Sequence, residues 1–302
     1  MDVEAVKRYL ENSANNDGDE YEQPLKFFER LIMHGVRVDL IETGRIVCSF
    51  KVPPRLLNGS NYLHSGAIAT LVDMVTSAAV LTVGARFVGT SVEIDVSFMD
   101  AAYADEEIEM EARALHVGKT FAVISIEFRK KSTGKIIAQG RHTKYLVLPT
   151  AAAAAAAAAT ATATPMPQPS MGMPARFFEN FIMQGLHIEL IEKGRVLCSM
   201  KVPRRLLNAG NFLHGGATAS LVDIVGSAVI YTYGVTSSGV SVEINVSYLD
   251  SAYVDEEIEI DAKALRVGKT VAVVSVELRK KKTGKIIAQG RHTKYLPVLS
   301  KM

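Results

Sequence analysis

Ala67-Ile68-Ala69-Thr70-Leu71-Val72-Asp73-Met74-Val75-Thr76-Ser77-Ala78-Ala79-Val80-Leu81-Thr82-Val83 carries one charged side chain in seventeen residues. A surface helix shows an apolar stripe and a polar face. This stretch has no polar face, so it predicts a helix buried on most sides, with Gly84 as its C-terminal stop. Upstream, 27–33 reads as a short helix, and 36–41 and 45–52 alternate in polarity around a Thr43-Gly44 turn. That is a hairpin pattern. Downstream, 89–99, 106–117, 120–130 and 135–147 read as four more strands, turning at Gly118-Lys119 and Thr133-Gly134. Strands before and after a single buried helix make an α+β domain with an antiparallel meander.

The whole pattern occurs twice. Residues 27–146 and 177–296 run in register without a gap, so that His64 and His214, Asp73 and Asp223, and Cys48 and Cys198 each lie 150 positions apart. A period this long is a domain duplication and not a solenoid array. The expected organisation is a tail over 1–24, a first domain over 25–147, a linker over 148–175, a second domain over 176–299 and a terminal tripeptide over 300–302. The tail contains an acidic polar segment, and the linker moves from an alanine run into Pro165, Pro167, Pro169 and Pro174. Alanines favour a helical turn and prolines end it.

Composition narrows the function classes. A net charge of +2 gives no case for nucleic acid. The clusters Arg129-Lys130-Lys131 and Arg279-Lys280-Lys281-Lys282 read as solvated strand ends. Two cysteines in matching apolar strands read as free buried thiols of a reducing compartment. The apolar stretch 217–231 is too short to span a bilayer and contains Asp223, so no membrane span is expected.

The densest chemistry lies where the buried helix begins. Copy 2 reads Asn208-Ala209-Gly210-Asn211-Phe212-Leu213-His214-Gly215-Gly216-Ala217-Thr218-Ala219-Ser220-Leu221-Val222-Asp223. Gly215 stands at a predicted helix N-terminus, where backbone N–H groups lack partners and the dipole is positive. Such a donor polarises a carbonyl and stabilises the oxyanion formed on attack. Asp223, alone on an apolar helix, is the natural base or nucleophile. A lone buried carboxylate is otherwise a satisfied structural group, and a lone buried histidine a core residue.

His-Gly-Gly followed by Leu-Val-Asp resembles the hotdog acyl-CoA thioesterases of the phenylacetate-degradation type. The Gly-Lys-Thr turn and the Thr-Gly-Lys-Ile-Ile-Ala-Gln-Gly-Arg-His-Thr-Lys segment are similar to the acyl-CoA thioesterase 13 subgroup of that family. The resemblance covers about four-fifths of the chain. It implies a double hotdog, with two antiparallel sheets each wrapped around a central helix. It implies hydrolysis of fatty or aromatic acyl-CoA to free acid and CoA, without a cofactor or metal. It also implies that Ser91 and Ser241 position the attacking water, that Asn58 and Asn208 belong to the sites, and that His64 and His214 support the oxyanion loop.

Helix geometry adds a constraint. Gly215 and Asp223 are eight positions apart, about 12 Å along one helix at ~1.5 Å per residue. A carbonyl held by one and attacked from the other needs both within roughly 3 Å. The carboxylate must therefore come from the other copy. One expected site joins Asn208, His214 and Gly215 with Asp73. The other joins Asn58, His64 and Ser65 with Asp223. Ser65 replaces the glycine in copy 1, and its side chain or a strained backbone is expected to impair that site. Lys119 and Lys269 are the candidate cations for CoA phosphates. The chain is expected to pair as a homodimer of double hotdogs. Ser300-Lys301-Met302 resembles a peroxisomal address, with the cytoplasm as the alternative. A hotdog dehydratase or hydratase and a non-catalytic acyl-CoA sensor stand as competing functions.

Overall fold

A computed structural model describes residues 27–85, 87–146, 173–235 and 237–296. The proposed tail, most of the linker and the terminal tripeptide lie outside them. Copy 1 contains α1 (Phe27–Met33), β1 (Val36–Glu42), β2 (Arg45–Lys51), a 3-10 turn (Pro54–Leu56), α2 (Ser65–Thr82), β3 (Thr90–Phe98), β4 (Glu107–Val117), β5 (Phe121–Lys130) and β6 (Ile136–Tyr145). Copy 2 repeats the order with α3 (Phe177–Met183), β7 (Leu186–Glu192), β8 (Arg195–Lys201), a 3-10 turn (Arg204–Leu206), α4 (Gly215–Tyr231), β9 (Val240–Tyr248), β10 (Glu257–Val267), β11 (Val271–Lys280) and β12 (Ile286–Tyr295). The strands and helices match their expected positions to within a few residues; neither 3-10 turn was anticipated.

The two expected sheets are joined into one. The strand order is β1-β2-β4-β5-β6-β3-β9-β12-β11-β10-β8-β7, twelve strands in all. The seam is the antiparallel pair β3–β9, in which Asp95 faces Asn245. Asn245 Nδ2 donates there to Glu93 at 2.9 Å and to Asp95 at 3.2 Å. Replacing Asp95 by Asn245 in copy 2 supplies a donor where two carboxylates would otherwise face each other across the pair.

Each half-sheet curls around its own helix. Every residue of α2 except Leu81 is buried. By length and composition α2 is apolar enough to cross a membrane, but the sheet encloses it. Fully burying one Val, Leu or Ile is worth ~1.5–3 kcal/mol, so this packing sets the fold. The helix approaches β6 closely because Gly140 stands opposite: a Cβ there would meet Val72 at 3.0 Å. Gly290 does the same for Val222.

The two central helices touch through small residues. A Cβ on Gly216 would lie 2.5 Å from Thr70 Oγ1, and one on Gly66 would lie 2.7 Å from Ser220 Oγ. This contact places the start of each helix against the middle of the other. The short helices seal it crosswise: α1 packs on the 3-10 turn of copy 2, and α3 on that of copy 1. Phe28 meets the His214 ring edge-on at 5.1 Å, and Phe178 lies 5.0 Å from His64.

Candidate active site

Helix α4 begins at Gly215 with His214 as its N-cap; the His214 Nδ1 accepts from Gly216 N–H at 2.9 Å. That bond requires Nδ1 to be unprotonated, so the ring is held as a helix cap. His64 does the same for Gly66 at 3.0 Å in copy 1.

The carboxylate of Asp73, from copy 1, lies directly against this helix start. A Cβ placed on Gly215 would come within 2.8 Å of Asp73 Oδ2 and 3.4 Å of Ser91 Oγ. Only glycine leaves that space open. A cavity of about 640 Å³ opens there, lined by residues of both copies, among them Asp73, Ser91, Lys144, Asn208, Phe212, Gly215, Tyr248 and Ile287.

The surroundings of Asp73 form a network. Ser91 Oγ lies 3.4 Å from Asp73 Oδ1 and 2.9 Å from His142 Nε2. His142 Nδ1 is 2.6 Å from Thr76 Oγ1, whose proton goes to the Val72 carbonyl at 2.6 Å. The threonine therefore accepts from Nδ1–H, which leaves Nε2 bare to accept from Ser91. Lys144 Nζ donates to Ser77 Oγ at 2.7 Å and sits 3.6 Å from Asp73 Oδ1. Tyr248 O–H donates to the Gly215 carbonyl at 2.8 Å.

Burial pushes the Asp73 carboxyl up, but Lys144, His214 and His142 outweigh it and hold its pKa at about 2. Burial, reinforced by Lys144, pulls His142 down to about 3 despite the opposing charge of Asp73. Burial also lowers Lys144, against the pull of Asp73. At neutral pH the cluster therefore consists of an ionised aspartate and a neutral imidazole.

The second helix junction places Asp223 against α2. Ser241, not Ser91, stands beside Asp223, at 3.5 Å, and is 2.9 Å from His292 Nε2. Lys294 donates to Ser227 at 2.7 Å. The structure thus assigns each serine to the aspartate of its own copy, which the sequence left open. Ser65 is in ordinary helical backbone and not among the residues of positive φ, so backbone strain plays no part there.

Other expected residues fall differently. Asn208 lines the cavity, but its side-chain carbonyl accepts from Gly210 N–H at 2.8 Å; Asn58 makes the same turn with Ser60 at 2.9 Å. Lys119 and Lys269 are exposed in the β4–β5 and β10–β11 turns and do not line the cavity. The basic clusters are largely engaged: Lys130 pairs with Glu106 at 3.1 Å, Lys280 with Glu256 at 3.0 Å and Arg279 with Asp261 at 3.1 Å. Cys48 and Cys198 are free and buried, and burial pushes their thiols up to about 12 and about 11. Among the described residues, no group of three or more His, Cys, Asp and Glu side chains is placed to hold a metal. His142, Lys144, Thr76 and Tyr248 were missed in the sequence. Three of them sit in regular strands, and their only signal is a polar residue on the inward-facing side.

Comparison with known proteins agrees with this architecture. The thioesterase superfamily model matches twice, over residues 60–137 and 210–287. The acyl-coenzyme A thioesterase 13 of Homo sapiens is 43% identical over 122 residues, covering 40% of this chain and 86% of that protein. That of Mus musculus is 46% identical over 102 residues, covering 34% of this chain and 73% of that protein. The solved tesB protein of Mycobacterium avium subs paratuberculosis superposes with a TM-score of 0.55 at 16% identity, covering 86% of this chain and 96% of that one. That likeness extends the shared fold across both copies.

Proposed function

Because this chain belongs to the thioesterase superfamily, we propose that it hydrolyses acyl-CoA thioesters, fatty or aromatic, to a free acid and CoA. The reaction is placed at a composite site between the copies. The observation that carries this reading is the approach of the Asp73 carboxylate to the N-terminus of α4 at Gly215. The two relatives named acyl-coenzyme A thioesterase 13 supply the substrate class.

The thioester carbonyl binds at the Gly215 N–H, where the helix dipole favours developing negative charge. A water sits between that carbonyl and Asp73. Ser91, its own proton turned toward His142 Nε2, accepts one hydrogen of the water and fixes its orientation. Asp73 takes the other proton as the water oxygen adds to the carbonyl carbon. The tetrahedral oxyanion collapses, the C–S bond breaks, and the departing thiolate takes the proton from Asp73. Attack by Asp73 itself, through an anhydride that water then opens, gives the same products. Lys144 keeps the carboxylate ionised while the cavity stays largely apolar.

The test is release of free thiol from a panel of CoA esters by the wild type and Asp73→Asn. Turnover lost in the variant supports the reading. Wild-type protein that binds the esters and releases no thiol overturns it and leaves an acyl-CoA sensor. Two further readings rest on sequence alone and remain proposals: targeting to the peroxisome through Ser300-Lys301-Met302, and pairing of two chains into a homodimer.

A further inference from the structure

The two helix junctions are built from the same repeat, so each difference between them is informative. At the first, Gly215 leaves the space before Asp73 open and Gly216 N–H is bonded to its cap alone. At the second, Ser65 occupies the matching position, and its Oγ donates to Ser241 Oγ at 3.0 Å. Ser241 is the hydroxyl that corresponds to Ser91, the group assigned to hold water at the first site. The Ser65 hydroxyl thus sits where the substrate's reacting groups would have to enter. Asp223 also bonds the helix start directly: its Oδ2 accepts from Gly66 N–H at 3.1 Å, a bond the first site lacks.

The supporting residues differ in the same sense. Phe98 stands where copy 2 has Tyr248, so the Ser65 carbonyl has no phenol comparable to the one that fixes Gly215. Gly226 stands where copy 1 has Thr76, and the buried His292 Nδ1 is left without a hydrogen-bond partner. The tautomer that Thr76 dictates at the first site is therefore not dictated at the second. Ser65 is buried, whereas Gly215 is partly exposed to the cavity.

From this we infer that the chain has one open substrate site, Asp73 with Gly215, and that the Ser65 side chain closes the other by occupying its substrate position. The inference rests on the hydrolysis reading for the nature of the ligand, but its test reads occupancy and not turnover. Glycine and serine at positions 65 and 215 act as an open and a closed setting of the same device.

The experiment measures binding stoichiometry by calorimetry on the full chain, with two thioester isosteres, 2-oxododecyl-CoA and phenacyl-CoA. The wild type is expected to take one isostere per chain. Ser65→Gly is expected to take two, and Gly215→Ser none. A folding check by thermal melt accompanies each variant, and Gly215→Ser asks of the second helix only what Ser65 already does in the first. Two isosteres bound by the wild type would overturn the inference, as would none. So would a Ser65→Gly chain that still binds one, or a Gly215→Ser chain that keeps its one. An acyl adduct on the Ser65 peptide after incubation with an acyl-CoA would overturn it too, since a closed site cannot be acylated. If the stoichiometry is as expected but no thiol is released, the hydrolysis reading falls and this inference stands.

Discussion

At Asp73 the sign of the pH dependence follows from its partners. Its pKa lies at about 2, below the ordinary aspartate value of 3.8, so the ionised form persists well into acid. A depressed carboxyl contributes stability above its unfolded pKa, and that contribution is lost as pH falls through the folded value. The acid limb of kcat/KM is therefore expected below the usual carboxylate range. Replacing Lys144 by Met removes the largest of the favourable charges and is expected to move that limb to higher pH, as a pH–rate profile will show. His142, held neutral above about pH 3, is expected to contribute no step near pH 6.5. Asp73→Asn is expected to lower thiol release by about 10²–10⁴-fold, the range for a removed acid–base group. Thr76→Val leaves His142 Nδ1–H unpaired in the core at a cost of about 1–3 kcal/mol, to be read from a denaturant midpoint. Asp73 and Gly215 were legible in the sequence because an isolated charge and a glycine pair interrupt a uniform pattern. His142 and Lys144 were not, since a strand of alternating residues hides which of its polar side chains point inward.

The close contact of α2 with α4 explains why each helix is poor in large side chains near its N-terminus. A methyl on Gly216 would press into Thr70, which is held in place by its own bond to Gly66. Gly216→Ala is therefore expected to destabilise the chain by about 1–3 kcal/mol through overpacking, measured by chemical denaturation, and to weaken activity by parting the Gly215 and Asp73 ends. The apolar run of α2 announced a buried helix and the alternating strands announced a sheet around it. The 3-10 turns escaped notice because each contains only three residues and begins beside a proline, where neither periodicity has room to develop. The edge pairing of β3 with β9 also escaped notice. Both strands alternate as any strand does, and nothing in the pattern says whether the next neighbour is a strand or solvent.

Over the whole molecule, the seam makes twelve strands into one surface whose free edges are β1 and β7. Copies expressed apart should behave unequally. Residues 173–296 paired with themselves would bring Asp223 to Gly215 and restore open sites, while residues 27–146 paired with themselves would bring Asp73 only to Ser65. Thiol-release assays on the two halves are expected to find activity in the second alone, at concentrations where it dimerises. The single polypeptide has a further consequence, which concerns inheritance. In an assembly of identical subunits every substitution is copied into all sites at once, and a serine at the oxyanion position would silence them together. Here each junction draws on two separately encoded segments, so one is free to drift toward a purely architectural duty while selection continues to guard the other.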